Sequence, residues 1–213
     1  MSSRGRPPSY DREVAIREAA RLFWRRGYNG TSTRELTSAL GMSTSSLYSA
    51  FGSKAELFAT AVRTYADRYS RIYESALAEP LIPDVVTSLL RGSIMEFTPD
   101  PSVHPGCMVT SAIMIDSPET LDARRLIEES SAANAAALQE RFVRAINEGE
   151  LTGSTSAKHL ADYVQTLWQG LSAQSNRGVT RGQLLTIAEV GARVVWGELS
   201  GGADRAAGPP RHT

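Results

Sequence analysis

Residues 32–56, STRELTSALGMSTSSLYSAFGSKAE, decide how the chain folds. Ser32 and Glu35 stand at capping-box spacing, so each can satisfy a free backbone N–H at a helix start. Leu36, Ala39 and Leu40 give that helix an apolar face until Gly41, the residue type that suits a left-handed helix end. Met42 fills the corner. Ser43 then offers an N-cap oxygen to a helix that carries Leu47 and Phe51 inward, four residues apart. Gly52 ends it, and Ser53 with Glu56 has capping-box spacing again. Two helices of about two turns, joined by a short Gly-containing turn, form a helix-turn-helix, whose second helix suits a DNA major groove.

The outer face of that second helix carries Thr44, Ser45, Ser46 and Ser49, with the phenol of Tyr48 among them. Hydroxyls can bond phosphate oxygens or base edges, and short side chains let a helix sit deep in a groove. No Asn, Gln or Arg is present there to make a bidentate base contact. A blander reading is that serines merely solubilise a surface helix. The caps, Gly41 and the apolar spacing favour DNA.

Outward from this core, residues from Asp11 to Gly27 read as a helix with Ala15, Ala19, Leu22 and Phe23 on one face. It should complete a three-helix head whose core is Leu22, Phe23, Leu36, Leu40, Leu47 and Phe51. The 213 residues carry no formal net charge, yet residues 1–55 hold nine Arg and Lys against four Asp and Glu. The remainder has fourteen against nineteen. A basic end on an acidic body suits a polyanion-binding head with a separate regulatory part. Residues 1–9 read as a flexible basic arm, in which Arg4 and Arg6 suit a narrow minor groove; a basic tail with no such role is the alternative.

The body reads as helix throughout, for about nine helices in the chain and an all-α fold. A helix from Ser53 carries Leu57, Phe58, Ala61, Val62, Tyr65 and Tyr69 inward, with Pro80 and Pro83 closing it. Lys54 lies at its start, where cation and helix N–H groups both favour a phosphate. Residues 84–98 form the next helix. The apolar run CMVTSAIMI that opens at Cys107 fits a buried helix or a strand, and no strand partner is evident. Cys107 reads as a packed small hydrophobe, with redox sensing as the alternative. Ser117-Pro118 should cap a helix reaching Asn147. Two more follow, at 156–177 and from Thr180, with Leu160, Val164, Leu167 and Leu171 on one and Leu184, Ile187, Gly191 and Val194 on the other. These eight suit a four-helix dimer seam, and ordinary core is the alternative. Residues 200–213 read as a disordered tail. Phe97, Met108, Phe142, Gln165, Trp168 and Gln169 are candidate linings of a pocket for an apolar or aromatic ligand.

The run from Gly27 to Leu57, with its G-Y, T-x-R-E-L, G-M-S, S-L-Y-x-x-F and S-K-x-E-L elements, resembles the DNA-binding domain of TetR-family transcriptional regulators. The resemblance implies a homodimer that binds palindromic operator DNA, usually as a repressor, and lets go when a small effector enters its C-terminal domain. It also implies that Thr33 and Arg34 clamp phosphates and that Tyr48 and Lys54 grip the backbone. The implied division is a DNA-binding domain at 10–55 and a ligand-binding and dimerisation domain at 56–199.

An all-helical enzyme or small-molecule carrier with an accessory head is the competing reading, and a constitutive architectural DNA binder is a third. An enzyme would need catalytic groups converging in a pocket. The sequence holds no HExxH, GxGxxG or P-loop. One cysteine excludes an internal disulfide and a Cys-based zinc site, and three scattered histidines suggest no metal ligation. No metal and no cofactor are expected. No apolar run approaches the eighteen or so residues of a membrane span, and the polar N-terminus lacks a signal-peptide core, so a cytoplasmic location is expected.

Overall fold

A computed structural model describes residues 10–98, 107, 118–151 and 156–200, and every described element is helical. Helix α1 spans Arg12–Arg26, α2 Thr33–Leu40, α3 Thr44–Phe51, α4 Lys54–Leu77 and α5 Ile82–Phe97. A 3-10 turn at Pro118–Thr120 leads into α6, Leu121–Asn147; α7 is Ala157–Asn176 and α8 Arg181–Ser200. The arm at 1–9, the expected tail at 200–213 except Ser200, which ends α8, and, Cys107 apart, the apolar run after it lie outside the described residues.

Local chemistry sets the boundaries in the head. Asp11 accepts from the N–H groups of Glu13 and Val14 at 2.8 and 3.2 Å, which starts α1. Ser32 and Glu35 form the full capping box at α2. Gly41 follows at φ 61°, ψ 31°, the left-handed conformation that other residues adopt at a cost. Ser43 caps α3 through Ser46 N–H at 3.1 Å.

Three boundaries differ from the sequence reading. At α4 only half of the expected box forms. Ser53 accepts from Glu56 N–H at 3.1 Å, while the Glu56 carboxylate lies back over Gly52, where a Cβ would come within 1.8 Å of it. Pro83 opens α5 instead of closing α4: a proline in the first helical turn lacks only an N–H that would be unpaired there. Ser117 lies outside the described residues, and Pro118 begins a tight 3-10 turn, so α6 starts three residues later, at Leu121.

Helix α4 is the axis of the molecule. Near its start it packs against α1 and α3, and further along against α5 and α6. Leu57, Phe58, Ala61, Val62, Tyr65, Tyr69 and Tyr73 on its inner side join the head core to the body core. Phe23, Leu36, Leu47 and Phe51 are buried as expected, while Leu22 and Leu40 are partly buried at the margin. The buried positions run continuously along this one 24-residue helix, from the head core to the body core.

Candidate nucleic-acid interface and effector cavity

Helix α3 presents its expected face to solvent. Thr44, Ser45, Ser46 and Ser49 are exposed, as is Tyr48, while Leu47 and Phe51 are sunk in the head. The Ser43 hydroxyl lies 3.0 Å from that of Ser45 and 2.8 Å from that of Ser46, so the helix start is a cluster of small interchangeable donors and acceptors. Tyr48 reaches across to α2, its hydroxyl 3.2 Å from Thr33 Oγ1, which holds the ring beside the exposed serines. Arg34 is exposed on α2. Arg26 pairs with the capping Glu35, tying α1 to α2. Arg4 and Arg6 lie outside the described residues.

Lys54 stands at the first position of α4 with its ammonium 4.1 Å from the centre of the Tyr28 ring, a cation–π arrangement. Tyr28 is held in turn against Phe23 and Phe58. Burial depresses the Lys54 ammonium from the ordinary lysine range, and the charges of Glu119 and Tyr48 oppose that. The lysine is thus aimed from a rigid aromatic seat. Sequence spacing placed Lys54 at a helix start; nothing in the residue pattern indicated that the Tyr28 ring would support it.

In the body, Ala66, Tyr69 and Tyr73 of α4, Ile127, Ser130, Ser131 and Asn134 of α6, and Gln165 and Trp168 of α7 line a small cavity of about 20 Å³. That is room for little more than one water-sized group. Trp168 Nε1 donates to Ser93 Oγ at 2.8 Å, and Gln165 Nε2 donates to the Tyr73 hydroxyl at 2.8 Å. Tyr69, Phe97 and Trp168 pack edge-on or tilted, with ring centres 5.5–5.7 Å apart. Burial raises the Tyr69 and Tyr73 phenols above their ordinary value, so both remain neutral hydrogen-bonding groups.

The cavity brings together only some of the candidate lining residues. Gln165 and Trp168 line it, and Phe97 stands one layer behind as a neighbour of Trp168. Phe142 is wholly buried but absent from the lining. Gln169 is exposed, because the residue after Trp168 is turned about 100° round the helix. Met108 lies outside the described residues. Ser130, Ser131 and Asn134 went unrecognised. Their small side chains in SSAANAAAL fit close helix packing equally well, and only the opposing aromatic wall marks them as lining.

The eight candidate seam residues divide by burial within one protomer. Leu160, Val164, Leu171 and Leu184 are 5% exposed or less within one protomer, so they have no surface to offer a second copy. Their stripe is the inner one. Gly191 is buried against α7, where an added Cβ would fall 2.1 Å from Leu167 Cδ2; that pair sets the close approach of α7 and α8 within the protomer. Ile187 and Val194 are exposed, and Val190 joins them at 50% exposure to make an outward apolar row.

Among the described residues no helix is long and apolar enough to cross a membrane. No group of three or more His, Cys, Asp and Glu able to hold a metal occurs among them.

Residues 15–61 match the family model described as "Bacterial regulatory proteins, tetR family". The chain is 29% identical over 203 residues to the HTH-type transcriptional repressor ComR of Escherichia coli, covering 92% of this chain and 94% of that protein. A solved structure of the TetR family transcriptional regulator CifR, a cysteine mutant complexed with 26-base-pair operator DNA, is 34% identical. Its TM-score is 0.77, with 88% of this chain and 98% of that one covered. A putative TetR transcriptional regulator from Rhodococcus is 35% identical, with a TM-score of 0.60 and 87% and 98% covered.

Proposed function

This chain belongs to the TetR family of bacterial regulatory proteins, and from that premise we propose how its own residues perform transcriptional regulation. It is a homodimeric DNA-binding regulator that acts as a repressor and is released from a palindromic operator by a small-molecule effector. The exposed hydroxyl face of α3, set on a fully capped helix-turn-helix, is the observation that carries the reading. Its relatives are transcriptional regulators, and we read the protein as a cytoplasmic one without enzymatic activity.

In the proposed complex, α3 enters the major groove with Thr44, Ser45, Ser46 and Ser49 against base edges and sugar–phosphate. Thr33, Arg34, Tyr48 and Lys54 hold phosphates on either side, and Arg4 and Arg6 follow the adjoining minor groove. With no long polar reader on α3, base choice rests on Arg34, bridging water and the shape of the DNA. Residues 10–55 form the DNA-binding unit and 56–199 the ligand-binding and dimerisation unit, the boundary falling in the first turn of α4.

The second copy docks on α8 through Ile187, Val190 and Val194, the row left exposed by one protomer. Val190→Glu places a charge at the centre of that row without disturbing the protomer core. The variant is expected to sediment as a monomer and to lose operator binding together with dimerisation. A dimer of wild-type affinity would move the seam elsewhere.

Release follows from the size of the body cavity. Ligand pockets commonly span roughly 300–1,000 Å³, far more than the 20 Å³ left between α4, α6 and α7. An apolar or aromatic effector therefore has to part these helices, and α4 carries the displacement to Lys54 and the head. The requirement is a differential affinity for the two arrangements, typically about 1–3 kcal/mol. Effectors are expected to quench Trp168 fluorescence and to release operator DNA at the same concentrations. Trp168→Phe should abolish the quenching, and because it removes the bond to Ser93 that holds the closed arrangement, release should need no more effector than in the wild type. Release by ligands that leave Trp168 emission unchanged would place the effector elsewhere.

A further inference from the structure

We propose a second small-molecule site, in the groove between α1 and α4, for a compact organic anion: a planar ring carrying two or more negative charges. The groove has a volume of about 560 Å³, within the range of ligand pockets and far above that of the body cavity. Its walls carry Arg12, Arg17 and Arg21 from α1 and Arg68 and Arg71 from α4, against one acidic lining residue, Glu13. Its floor is Trp24 and Tyr65, both less than a tenth exposed, packed edge to face with centres 4.8 Å apart. No residue of this groove belongs to the proposed DNA-contacting or effector-binding sets.

The guanidinium groups are not equally available. Arg21 is paired with Glu18 at 2.8 Å, and Arg68 with Glu96 at 3.0 Å. Arg12 lies over the Phe51 ring at 5.3 Å. Arg17 and Arg71 have no ion pair among the described residues and stand on opposite walls. Guanidinium forks bind carboxylate and phosphate oxygens in pairs, and the aromatic floor offers a ring a flat or edge contact. One wall group at each side and an apolar base select a flat molecule with charges at its rim.

Charge and distance narrow the occupant. The adjoining groove between α4 and α5 shares Arg68 and Arg71 but adds Glu79 and Glu96, so an extended acidic peptide running onward would meet like charge. The α4 wall stands back from the proposed phosphate contact: Arg68 lies fourteen residues beyond Lys54 along α4, roughly 21 Å at the helical rise. Arg12, at the other end of the groove, packs on Phe51 of α3. A ligand held between α1 and α4 bridges head and axis helix, so it would stiffen the element through which the body moves the head.

The test is calorimetric titration of the full chain at low salt with four probes: ATP, trimesate, tripolyphosphate and adenosine. One site per protomer is expected for ATP, trimesate or both, at least about tenfold tighter than for charge without a ring or a ring without charge. Preference for ATP identifies the source as a nucleotide, and preference for trimesate identifies it as an arene carboxylate. The double variant Arg17→Glu, Arg71→Glu should weaken the preferred probe by about tenfold or more with an unchanged melting curve, both side chains being exposed. Arg17→Gln, Arg71→Gln should lie between that variant and wild type, and Lys54→Ala should bind as wild type. The proposal fails if neither ringed anion binds, if tripolyphosphate binds as tightly as the preferred ringed anion, if the double Glu variant is unaffected, or if Lys54→Ala abolishes binding. Operator recognition would stand in each case.

Discussion

Glu150→Ala is expected to remove about 3–5 kcal/mol of folding stability, lowering the melting temperature by roughly 6–20 °C in a chain of this size. The reason lies where α6 ends against the α4–α5 turn. The Arg141 side chain is 4% exposed, and both terminal nitrogens lie 3.3 Å from Glu150 Oε2. Arg141 Nη2 also donates to the carbonyls of Pro80, at 2.8 Å, and Glu79, at 3.4 Å. The other Glu150 oxygen accepts the Ile82 N–H at the start of α5, a helix with no side-chain cap of its own. One carboxylate therefore neutralises a buried cation and caps a helix from the far side of a turn. Truncating it leaves the guanidinium buried without its counter-charge, which costs far more than an exposed pair contributes. The exposed i,i+4 pair Lys158–Asp162 is the internal control, and Asp162→Ala should change stability by no more than about 0.5 kcal/mol. Equal melting temperatures for the two variants would mean that water reaches Arg141 and neutralises it.

Lys54→Ala is the second large expected effect, and it acts on binding while leaving the fold in place. An ammonium bonded to a phosphate contributes about 1.5 kcal/mol or more, and a two-fold dimer uses the residue twice. Affinity for the operator should fall by roughly a hundredfold, by similar factors on every sequence. The slope of log affinity against log salt should decrease by about one for each Lys54 lost. Lys54→Arg should recover only part of this, because the planar fork cannot reproduce a compact ammonium seated over the Tyr28 ring. An unchanged slope would remove Lys54 from the phosphate contacts.

The helix-turn-helix was legible because every boundary in it is a local event. Ser32, Gly41, Ser43 and Gly52 each act within about four residues of themselves, and spacing alone locates them. The inner faces of α4 and α7 were legible as apolar stripes for the same reason, whereas the stripe read on α8 mixes buried Leu184 with exposed Ile187 and Val194. What a stripe faces was not legible. Leu160, Val164, Leu171 and Leu184 have the periodicity of a dimer seam and of a protomer core alike, and only the position of α5 and α6 assigns them to the core. The outward row at Ile187, Val190 and Val194 is thinner and partly polar around it, so it gave a weaker signal.

Long-range partners were the least accessible. Arg141 is separated from Pro80 by 61 residues, Trp168 from Ser93 by 75 and Gln165 from Tyr73 by 92. No local rule joins such pairs. The same limit explains the cavity lining, where Trp168 and Gln165 were found by residue type and Ser130, Ser131 and Asn134 were not. Pro83 is ambiguous in sequence because a proline carries one meaning after a helix and another in its first turn, and the Ile82 N–H at that start is satisfied by Glu150, just past the end of α6.

The most direct measurement is hydroxyl-radical footprinting of the full chain on the DNA flanking its own gene, titrated at low salt. Two protected half-sites related by a dyad are expected, their centres separated by one helical turn or a multiple of it. Protection of both should appear together and should vanish together with Val190→Glu. A single half-site protected by monomer, or uniform protection without a dyad, would contradict a paired α3 docked in successive major grooves.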